Sequence, residues 1–328
     1  MSSLARVRSI TETAVALSTL AVLLWAQVAR ATLVFERGGK IVVARDDGSA
    51  AHPIAIGCRP AISPNGKWVA FTTYIRSDHR YNCNGRMALI ATRGGHTRRI
   101  TASGAGSELR GSWSPDSRYL GTSLGTVWDT RTARAYRIPD YEGVAWDSGA
   151  VQFSPDSSRV LVQNYGLLDE SGVYEARLRP WAPRAKPVAE SLPIWGRSAF
   201  AFESQDGDKY EGPTYFAISL SSTLSGPRKE ILRSTTDVLR PIEWSADGSC
   251  LLVTARNGSQ VHALIIRPKT ETVTTLPVTF QEDEPASPQL SQDGTEVIGM
   301  REGNVIRESV DGTVTVLARR AHQPDWTD

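Results

Sequence analysis

The sequence is poor in the residue types on which many catalytic and metal sites depend. Its 328 residues include only three cysteines and five histidines. No two histidines have the H-x-H or H-E-x-x-H spacing of a zinc site, and Cys58, Cys83 and Cys250 match no cysteine zinc motif. No Gly-x-Ser-x-Gly elbow is set in the strand–helix alternation of a hydrolase. The sequence therefore offers no familiar metal motif and no nucleophile motif in the setting of a hydrolase domain.

Helical patterning and excess charge are absent as well. After residue 31 no useful stretch repeats its apolar residues with a helical period. The formal net charge is only +2, which gives no electrostatic reason to expect nucleic acid or an anionic membrane as partner. The chain has instead 27 Gly, 18 Pro, nine Trp and nine Tyr. This composition favours many short strands joined by tight turns.

The longest apolar run lies at the N-terminus. Arg6 and Arg8 precede the stretch AVALSTLAVLLWAQVA, and Ala29-Arg30-Ala31 has the form of a small-x-small cleavage site. The pattern predicts a signal peptide over residues 1–31 and a periplasmic or secreted mature chain over residues 32–328. An uncleaved N-terminal anchor is the alternative, although the run is short for a membrane span. Without residues 1–31 the formal charge falls to zero.

A short motif recurs along the rest of the chain. Each copy has an apolar residue, then Ser, then Pro, Ala or Gln, then Asp or Asn with Gly or Ser, and finally alternating apolar residues. Pro presets φ, Asp or Asn bonds to its own backbone, and Gly accepts a positive φ, so the motif predicts a β-hairpin. The copies are PAISPNGKWVAFTT (from Pro60), GSWSPDSRYLGTS (Gly111), VQFSPDSSRVLVQ (Val151), IEWSADGSCLLVT (Ile242) and PQLSQDGTEVIGM (Pro288).

The spacing of the motif serines gives the repeat length. Ser63, Ser114, Ser154, Ser245 and Ser291 are separated by 51, 40, 91 and 46 residues. The interval of 91 is two repeats long, and PIWGRSAFAFES from Pro193 supplies a degenerate copy inside it. Two further strand-like runs follow each hairpin, as in MALIATRGGHTRRIT. A repeat of about four strands in about 40 to 50 residues is typical of a β-propeller blade.

The two ends of the chain together make one more blade. Residues 32–54 contain the second, third and fourth strands of a repeat without a first, and QPDWT near the C-terminus is a first strand without successors. With the six copies above, the sequence predicts an all-β propeller of seven four-stranded blades, closed by pairing of the C-terminal strand with the N-terminal three. Six blades is the runner-up, and a tandem sandwich is a more distant alternative.

These repeats resemble the WD-repeat-like propeller repeats of the TolB type. The resemblance covers almost all of residues 32–328 and implies the fold, whereas propellers host binding proteins, scaffolds and several kinds of enzyme. TolB proper carries an additional N-terminal α/β domain, and related peptidases and esterases carry a hydrolase domain; we expect neither here. The matching residues are Trp113-Ser114-Pro115-Asp116, Trp244-Ser245-Ala246-Asp247-Gly248, Val127-Trp128-Asp129 and Ile100-Thr101.

Propeller geometry brings two of the cysteines together. The loop that enters the first strand of a blade and the loop between its second and third strands lie on the same face. Cys58 belongs to the first of these loops in the PAISPNG blade and Cys83 to the second. We therefore expect a Cys58–Cys83 disulfide that ties down a long loop, with two free thiols as the alternative. Cys250 falls in a second strand and is expected to be a buried core thiol.

The longest predicted loops share one face, and we predict that they form a binding surface. They span residues 75–86, 139–150, 164–173 and 204–214 and are rich in aromatic and basic residues, a composition typical of recognition surfaces. The candidate binding residues are Arg76, His79, Arg80, Tyr81, Tyr141, Trp146, Tyr165 and Tyr210.

Other candidate sites have simpler explanations. Asp206, Asp208 and Glu211 are compatible with a calcium loop, but acidic turns between strands are common. The motif aspartates are expected to make turns rather than to act as catalytic acids. The tryptophans at one repeat position are expected to pack between blades. The aspartates are Asp116, Asp156, Asp247 and Asp293, and the tryptophans are Trp113, Trp244 and Trp326.

The sequence thus favours an exported, non-enzymatic binding module for a protein or peptide partner at the cell envelope. We expect a monomer with no catalytic residues, no metal, no cofactor, no nucleic-acid partner and no membrane insertion of the mature chain. The alternative is a stand-alone propeller enzyme, a polysaccharide lyase or a lactone hydrolase, with its site at the central channel. His79 with Arg76 or Arg80 would then be the first candidates. A purely structural domain is a third alternative.

Overall fold

The structure, a computed structural model, describes the chain from Thr32 to Thr327 with several gaps. The described residues are 32–77, 80–83, 85–100, 111–122, 126–137, 151–164, 172–183, 188, 193–208, 212–281 and 288–327. Their regular secondary structure consists of β-strands. No helix in these ranges is long and apolar enough to cross a membrane.

Thirty strands run through the described residues. The first fifteen are β1 (Thr32–Arg37), β2 (Lys40–Arg45), β3 (His52–Ile56), β4 (Cys58–Ile62), β5 (Trp68–Thr72), β6 (Ile75–Ser77), β7 (Arg80–Asn82), β8 (Met87–Ala91), β9 (Arg98–Arg99), β10 (Ser112–Trp113), β11 (Tyr119–Gly121), β12 (Thr126–Asp129), β13 (Arg134–Arg137), β14 (Val151–Phe153) and β15 (Arg159–Asn164). The others are β16 (Gly172–Leu178), β17 (Trp181–Pro183), β18 (Ile194–Trp195), β19 (Phe200–Asp208), β20 (Gly212–Ser221), β21 (Lys229–Ser234), β22 (Val238–Trp244), β23 (Leu251–Asn257), β24 (Gln260–Arg267), β25 (Thr272–Gln281), β26 (Gln289–Leu290), β27 (Glu296–Arg301), β28 (Asn304–Ser309), β29 (Val314–Arg319) and β30 (His322–Thr327).

Seven four-stranded antiparallel sheets form the blades of a β-propeller. Blade 1 contains β30, β1, β2 and β3, and blade 2 contains β4, β5, β8 and β9. Blades 3 to 7 take the remaining strands in consecutive fours, from β10–β13 to β26–β29. The strands β6 and β7 form a separate hairpin between the second and third strands of blade 2. The prediction of seven blades is confirmed, and the degenerate copy from Pro193 is blade 5.

Blade 1 closes the ring with strands from both ends of the domain. β30 pairs antiparallel with β1, so that Thr327 lies opposite Thr32 and Trp326 opposite Leu33. β30 is the innermost strand of the blade, and it contacts β4 of blade 2 on one side and β27 of blade 7 on the other. The predicted closure is therefore confirmed.

The antiparallel order of each blade gives the ring two different faces. Turns between first and second strands, and between third and fourth strands, open on one face, which we call the turn face. Connections between second and third strands, and from one blade to the next, open on the other, the loop face. Because β1 begins where β30 ends, Thr32 and Thr327 both lie at the turn face.

The hydrophobic core consists of seven clusters, each between two consecutive blades. The strand β1 contributes side chains to two of these clusters. Leu33 and Phe35 pack towards blade 7, whereas Val34 between them packs towards Ile62 of blade 2. Central strands are thus buried on both sides, which explains their continuous apolar runs. Cys250 is buried in the cluster between blades 6 and 7, as predicted.

The repeated motif makes the same turn in all five clear copies. In blade 3 the Ser114 hydroxyl donates to Asp116 Oδ1 (2.7 Å) and accepts the Tyr119 N–H (2.8 Å). The corresponding serines of the other copies donate to Asn65, Asp156, Asp247 and Asp293 over 2.6–2.8 Å. These residues therefore make turns, as predicted.

The same bonds hold three of the turn carboxylates, Asp156, Asp247 and Asp293, in their charged form. Serine hydroxyls are the main cause of the lowered pKa of Asp156 and of Asp293. The N–H of Ser249 is the main cause that lowers the pKa of Asp247 to about 2. Because each of these three carboxylates is stabilised as an acceptor within its own turn, it is poorly suited to deliver a proton to a substrate.

Two copies of the motif place Ser where the others have Gly. Ser117 and Ser157 have φ of 60° and 54°, in the left-handed region that Gly66 occupies in blade 2. The Ser117 hydroxyl accepts the Asn65 N–H of blade 2 (3.0 Å), and the Ser157 hydroxyl accepts the Asp116 N–H of blade 3 (3.0 Å). Serine at this position thus joins each turn to the turn of the preceding blade.

Replacing Ser117 tests this bond between blades. Ser117→Ala keeps a Cβ at positive φ and leaves the Asn65 N–H without its acceptor, so we expect a loss of about 1–2 kcal/mol in the free energy of unfolding. Ser117→Gly also loses the bond but relieves the backbone strain, and should be closer to the wild type. Denaturant titration of both variants provides the measurement. Equal stability of Ser117→Ala and the wild type would contradict the assignment.

Candidate binding face and central channel

The first strands of the seven blades surround a central channel. Its volume is about 990 Å³, and residues from β4, β10, β14, β18, β22, β26 and β30 line it. Its ionisable lining residues are Arg59, Arg197, Glu243 and Asp325, and no histidine of the described ranges lines it. Within those ranges no group of three or more His, Cys, Asp or Glu residues is placed to hold a metal ion.

The two carboxylates of the channel wall connect neighbouring blades. Asp325 Oδ2 of blade 1 accepts the Ile62 N–H of blade 2 (2.6 Å), and Glu243 Oε1 of blade 6 accepts the Leu290 N–H of blade 7. Both acids lie in the first strand of their blade and directly precede a tryptophan, Trp326 after Asp325 and Trp244 after Glu243. Each satisfies a backbone donor at the inner edge, where no further strand is available to pair with it.

Two tryptophans of the channel wall connect blades in a related way. The Trp113 indole N–H donates to the Ala61 carbonyl of blade 2 (3.0 Å), and that of Trp244 donates to the Ile194 carbonyl of blade 5 (3.3 Å). Both rings, and that of Trp326, also pack against the hydrophobic clusters between blades. The predicted packing role of these tryptophans is confirmed, and the indole hydrogen bonds add to it.

The predicted disulfide is present on the loop face. Cys58 and Cys83 are bonded, with their Cα atoms 6.0 Å apart. Cys58 begins β4, and Cys83 follows β7 on the connection between the second and third strands of blade 2. The bond therefore fixes the base of the β6–β7 hairpin to the first strand of the blade.

Three of the predicted binding residues belong to this hairpin. Its register places Arg76 opposite Tyr81 and Ser77 opposite Arg80. The segment 75–86, predicted to be a loop, is thus partly a paired two-stranded sheet. The other five candidates lie outside the described residues, and they are His79, Tyr141, Trp146, Tyr165 and Tyr210.

The predicted loop over residues 204–214 is largely strand instead. β19 and β20 run through most of it, with Asp206 opposite Tyr215 and Asp208 opposite Gly212 after a bulge. Backbone pairing continues into these polar residues as an extension of the β19–β20 ladder, which begins at Phe200 and Ser221 within blade 5. Asp206 and Asp208 lie in paired strands, and Glu211 lies outside the described residues.

The β6–β7 hairpin has a second attachment that was not predicted from the sequence. The Tyr74 hydroxyl, just before β6, donates to Glu36 Oε1 of blade 1 (2.7 Å). Burial and then this carboxylate raise the pKa of the Tyr74 phenol, which remains a neutral donor. The only sequence signal was an aromatic residue beside a long insertion. The hairpin is thus fixed to the rest of the ring on both sides of its base.

One short segment of blade 3 matches the sequence pattern of a hydrolase nucleophile. Residues 121–125 read Gly-Thr-Ser-Leu-Gly, which fits Gly-x-Ser-x-Gly. They connect β11 to β12, two antiparallel strands of blade 3, and not a strand to a helix as in a hydrolase elbow. Ser123 itself lies outside the described residues. The match therefore gives no support to a hydrolase site of that kind.

Comparison with known proteins shows similarity in fold. No family model and no curated protein matches the sequence. TolB from Acinetobacter baumannii is similar in structure, with 19% identity, coverage of 91% of this chain and 66% of that one, and a TM-score of 0.51. This chain thus spans slightly less than two thirds of the TolB chain.

Two enzymes have similar structures as well. An oligogalacturonate lyase in complex with manganese has 13% identity, coverage of 88% and 85% of the two chains, and a TM-score of 0.56. A periplasmic gluconolactonase from Pseudomonas aeruginosa has 13% identity, coverage of 92% and 99%, and a TM-score of 0.54. The shared class is the β-propeller, and at these identities the likeness is one of fold, which does not choose between a binding module and an enzyme.

Proposed function

We propose that this chain is an exported, non-enzymatic propeller of the TolB type that binds a protein or peptide partner through its loop face. The observation that carries the proposal is the β6–β7 hairpin, which is inserted between the second and third strands of blade 2 and is fixed at its base by the Cys58–Cys83 disulfide. Rigid presentation of a short two-stranded element lowers the entropy lost on binding. It also offers strand edges to which an extended peptide can add.

The composition of the hairpin supports a protein or peptide partner. Arg76, Arg80 and Tyr81 supply the residue types most enriched at the energetic centres of protein interfaces. The channel wall supports binding over catalysis, because Glu243 and Asp325 already accept backbone donors of the next blades. A disulfide together with the N-terminal signal pattern supports export.

Substituting the hairpin residues tests the proposed binding face. We expect Tyr81→Ala and Arg80→Ala each to weaken partner binding by about tenfold or more, as is usual for central interface residues. The partner is first captured on the wild-type chain from an envelope extract and identified by mass spectrometry. Its purified form is then titrated against each variant by calorimetry.

The control for this experiment lies on the opposite face. Lys269 is exposed in the turn between β24 and β25, on the turn face, and Lys269→Ala should bind the partner like the wild type. Equal binding by the hairpin variants and the wild type would refute the proposed face. Lyase or lactonase activity of the purified chain, lost on substitution of a channel residue, would favour the enzyme instead.

A further inference from the structure

Charge is unevenly divided around the ring. Residues 58–137, which span blades 2 and 3, contain 13 basic and four acidic residues. Residues 238–319, which span blades 6 and 7, contain seven basic and 11 acidic residues. The near-zero net charge of the chain therefore conceals a basic side and an acidic side, which the overall composition did not reveal.

Six exposed basic residues of blades 2 and 3 lie on the turn face and the adjoining outer edge. We call them the basic rim. None of them forms an ion pair within the described part of the chain. The neighbouring Arg118, in contrast, is bound to Asp129 (2.6 Å). The members of the basic rim are Lys67, Arg93, Arg98, Arg99, Arg131 and Arg134.

Hydrogen bonds between turns make the basic rim one continuous surface. The Thr92 N–H donates to the Lys67 carbonyl (3.1 Å), which brings the β8–β9 turn against the first turn of blade 2. Arg98 Nη1 of β9 donates to the Thr130 carbonyl (3.2 Å), which joins the edge of blade 2 to the β12–β13 turn of blade 3. A continuous surface that carries several exposed guanidinium groups attracts phosphate-bearing surfaces.

We propose that the basic rim docks the propeller on a lipid surface with anionic headgroups. A second observation points to lipid rather than to a soluble polyanion. Thr32 lies beside Gly66 on the turn face. Its Oγ1 is 3.7 Å from the position that a Cβ atom on Gly66 would occupy. Thr32 follows the apolar run of residues 1–31, which carries the chain to a membrane during export whether or not it is later removed, and Thr32 lies next to Lys67 at the edge of the basic rim.

The acidic side of the ring determines how the domain would lie. Blades 6 and 7 place acidic residues in turns on the same turn face, where an anionic surface repels them. Contact is therefore centred on blades 2 and 3, with blades 6 and 7 tilted away and the loop face directed away from the lipid. The acidic turn residues without an ion pair in the described part of the chain are Asp247, Asp293 and Asp311, whereas Glu271 on the same face is paired with Lys229 (2.6 Å).

Vesicle binding tests the proposal directly. Residues 32–328 form the test protein, because residues 32–327 contain every strand of all seven blades. It is sedimented with phosphatidylcholine vesicles that contain or lack phosphatidylglycerol. We expect binding to the anionic vesicles alone, and its loss in high salt. Since each basic residue near such a surface contributes about fivefold, the triple variant Arg93→Gln/Arg99→Gln/Arg131→Gln should bind about a hundredfold more weakly.

A second triple variant removes three positive charges from blades 6 and 7 and serves as the control. Lys269→Gln/Arg319→Gln/Arg320→Gln changes exposed residues of blades 6 and 7 and should retain vesicle binding. Melting temperatures of both variants should match the wild type, since the side chains are exposed. Absence of binding to anionic vesicles, or equal loss in both variants, would overturn the proposal.

Two further results would assign the basic rim to a different partner and overturn the lipid assignment. In the first, the wild-type chain does not sediment with anionic vesicles but is retained on immobilised heparin, and the rim variant is not retained. The second is a salt-sensitive dimer in light scattering, disrupted by the rim variant, in which the basic side of one copy meets the acidic side of another. None of these outcomes depends on the partner of the β6–β7 hairpin, so failure of this proposal leaves the proposed function intact.

Discussion

Removal of residues 321–328 is expected to lower the melting temperature by at least about 10 °C, which corresponds to a destabilisation of about 4 kcal/mol or more. The deletion removes β30, the first strand of blade 1, and exposes Leu33 and Phe35 on the side facing blade 7. It also removes the Asp325 carboxylate from the Ile62 N–H and the Thr327 hydroxyl from the Pro64 carbonyl. Thermal unfolding followed by circular dichroism compares the truncated and complete domains.

A peptide supplied in trans separates loss of closure from general damage. Because β30 is held by non-covalent pairing, a synthetic peptide of residues 320–328 should bind the truncated domain and restore part of the melting temperature. The same peptide with Trp326→Ala should restore less, because the ring packs against the cluster between blades 7 and 1. An unchanged melting temperature after truncation would mean that β30 does not contribute to ring closure.

Loss of the disulfide is the second large effect that we expect. Cys58→Ala/Cys83→Ala should lower the free energy of unfolding by about 3 kcal/mol, since the bond closes an interval of 25 residues in the unfolded chain. The β6–β7 hairpin should also become a site of proteolysis, because one of its two attachments is gone. Denaturant titration and limited proteolysis measure the two effects separately.

Reductant provides the control for this variant. The wild type in dithiothreitol should behave like the double variant, whereas the double variant should not respond to dithiothreitol, because its remaining thiol, Cys250, is buried and free. We also expect weaker partner binding by the double variant, although no residue of β6 or β7 is changed. Unchanged stability together with a protease-resistant hairpin would contradict the role given to the disulfide.

The repeat architecture could be predicted from the sequence because its signals are local. Ser114 and Asp116 stand two residues apart and form a turn whose chemistry is the same in every clear copy. Regular spacing of that turn then gave the number of blades. The disulfide followed from the order of strands within one blade, which places Cys58 and Cys83 on the same face.

The bonds that complete the channel wall could not be predicted in this way. Asp325 and Ile62 are 263 residues apart, and nothing near either residue indicates the other. The hairpins over β6–β7 and β19–β20 were mistaken for loops because their pairing extends beyond the core and shows little apolar alternation. The charge asymmetry was missed because a net value sums over the ring and discards position.

Closure by β30 also constrains when the domain can be completed during its synthesis. β1, which begins at Thr32, is synthesised early, but its partner strand β30 ends only at Thr327. At a typical rate of about 5–20 residues per second, the ribosome needs about 15–60 seconds to add the residues between them. Throughout that time β1 has an unsatisfied edge and the chain is not a closed ring. Completion of blade 1 is therefore among the last events of folding, and a chaperone that shields β1 would act within this interval.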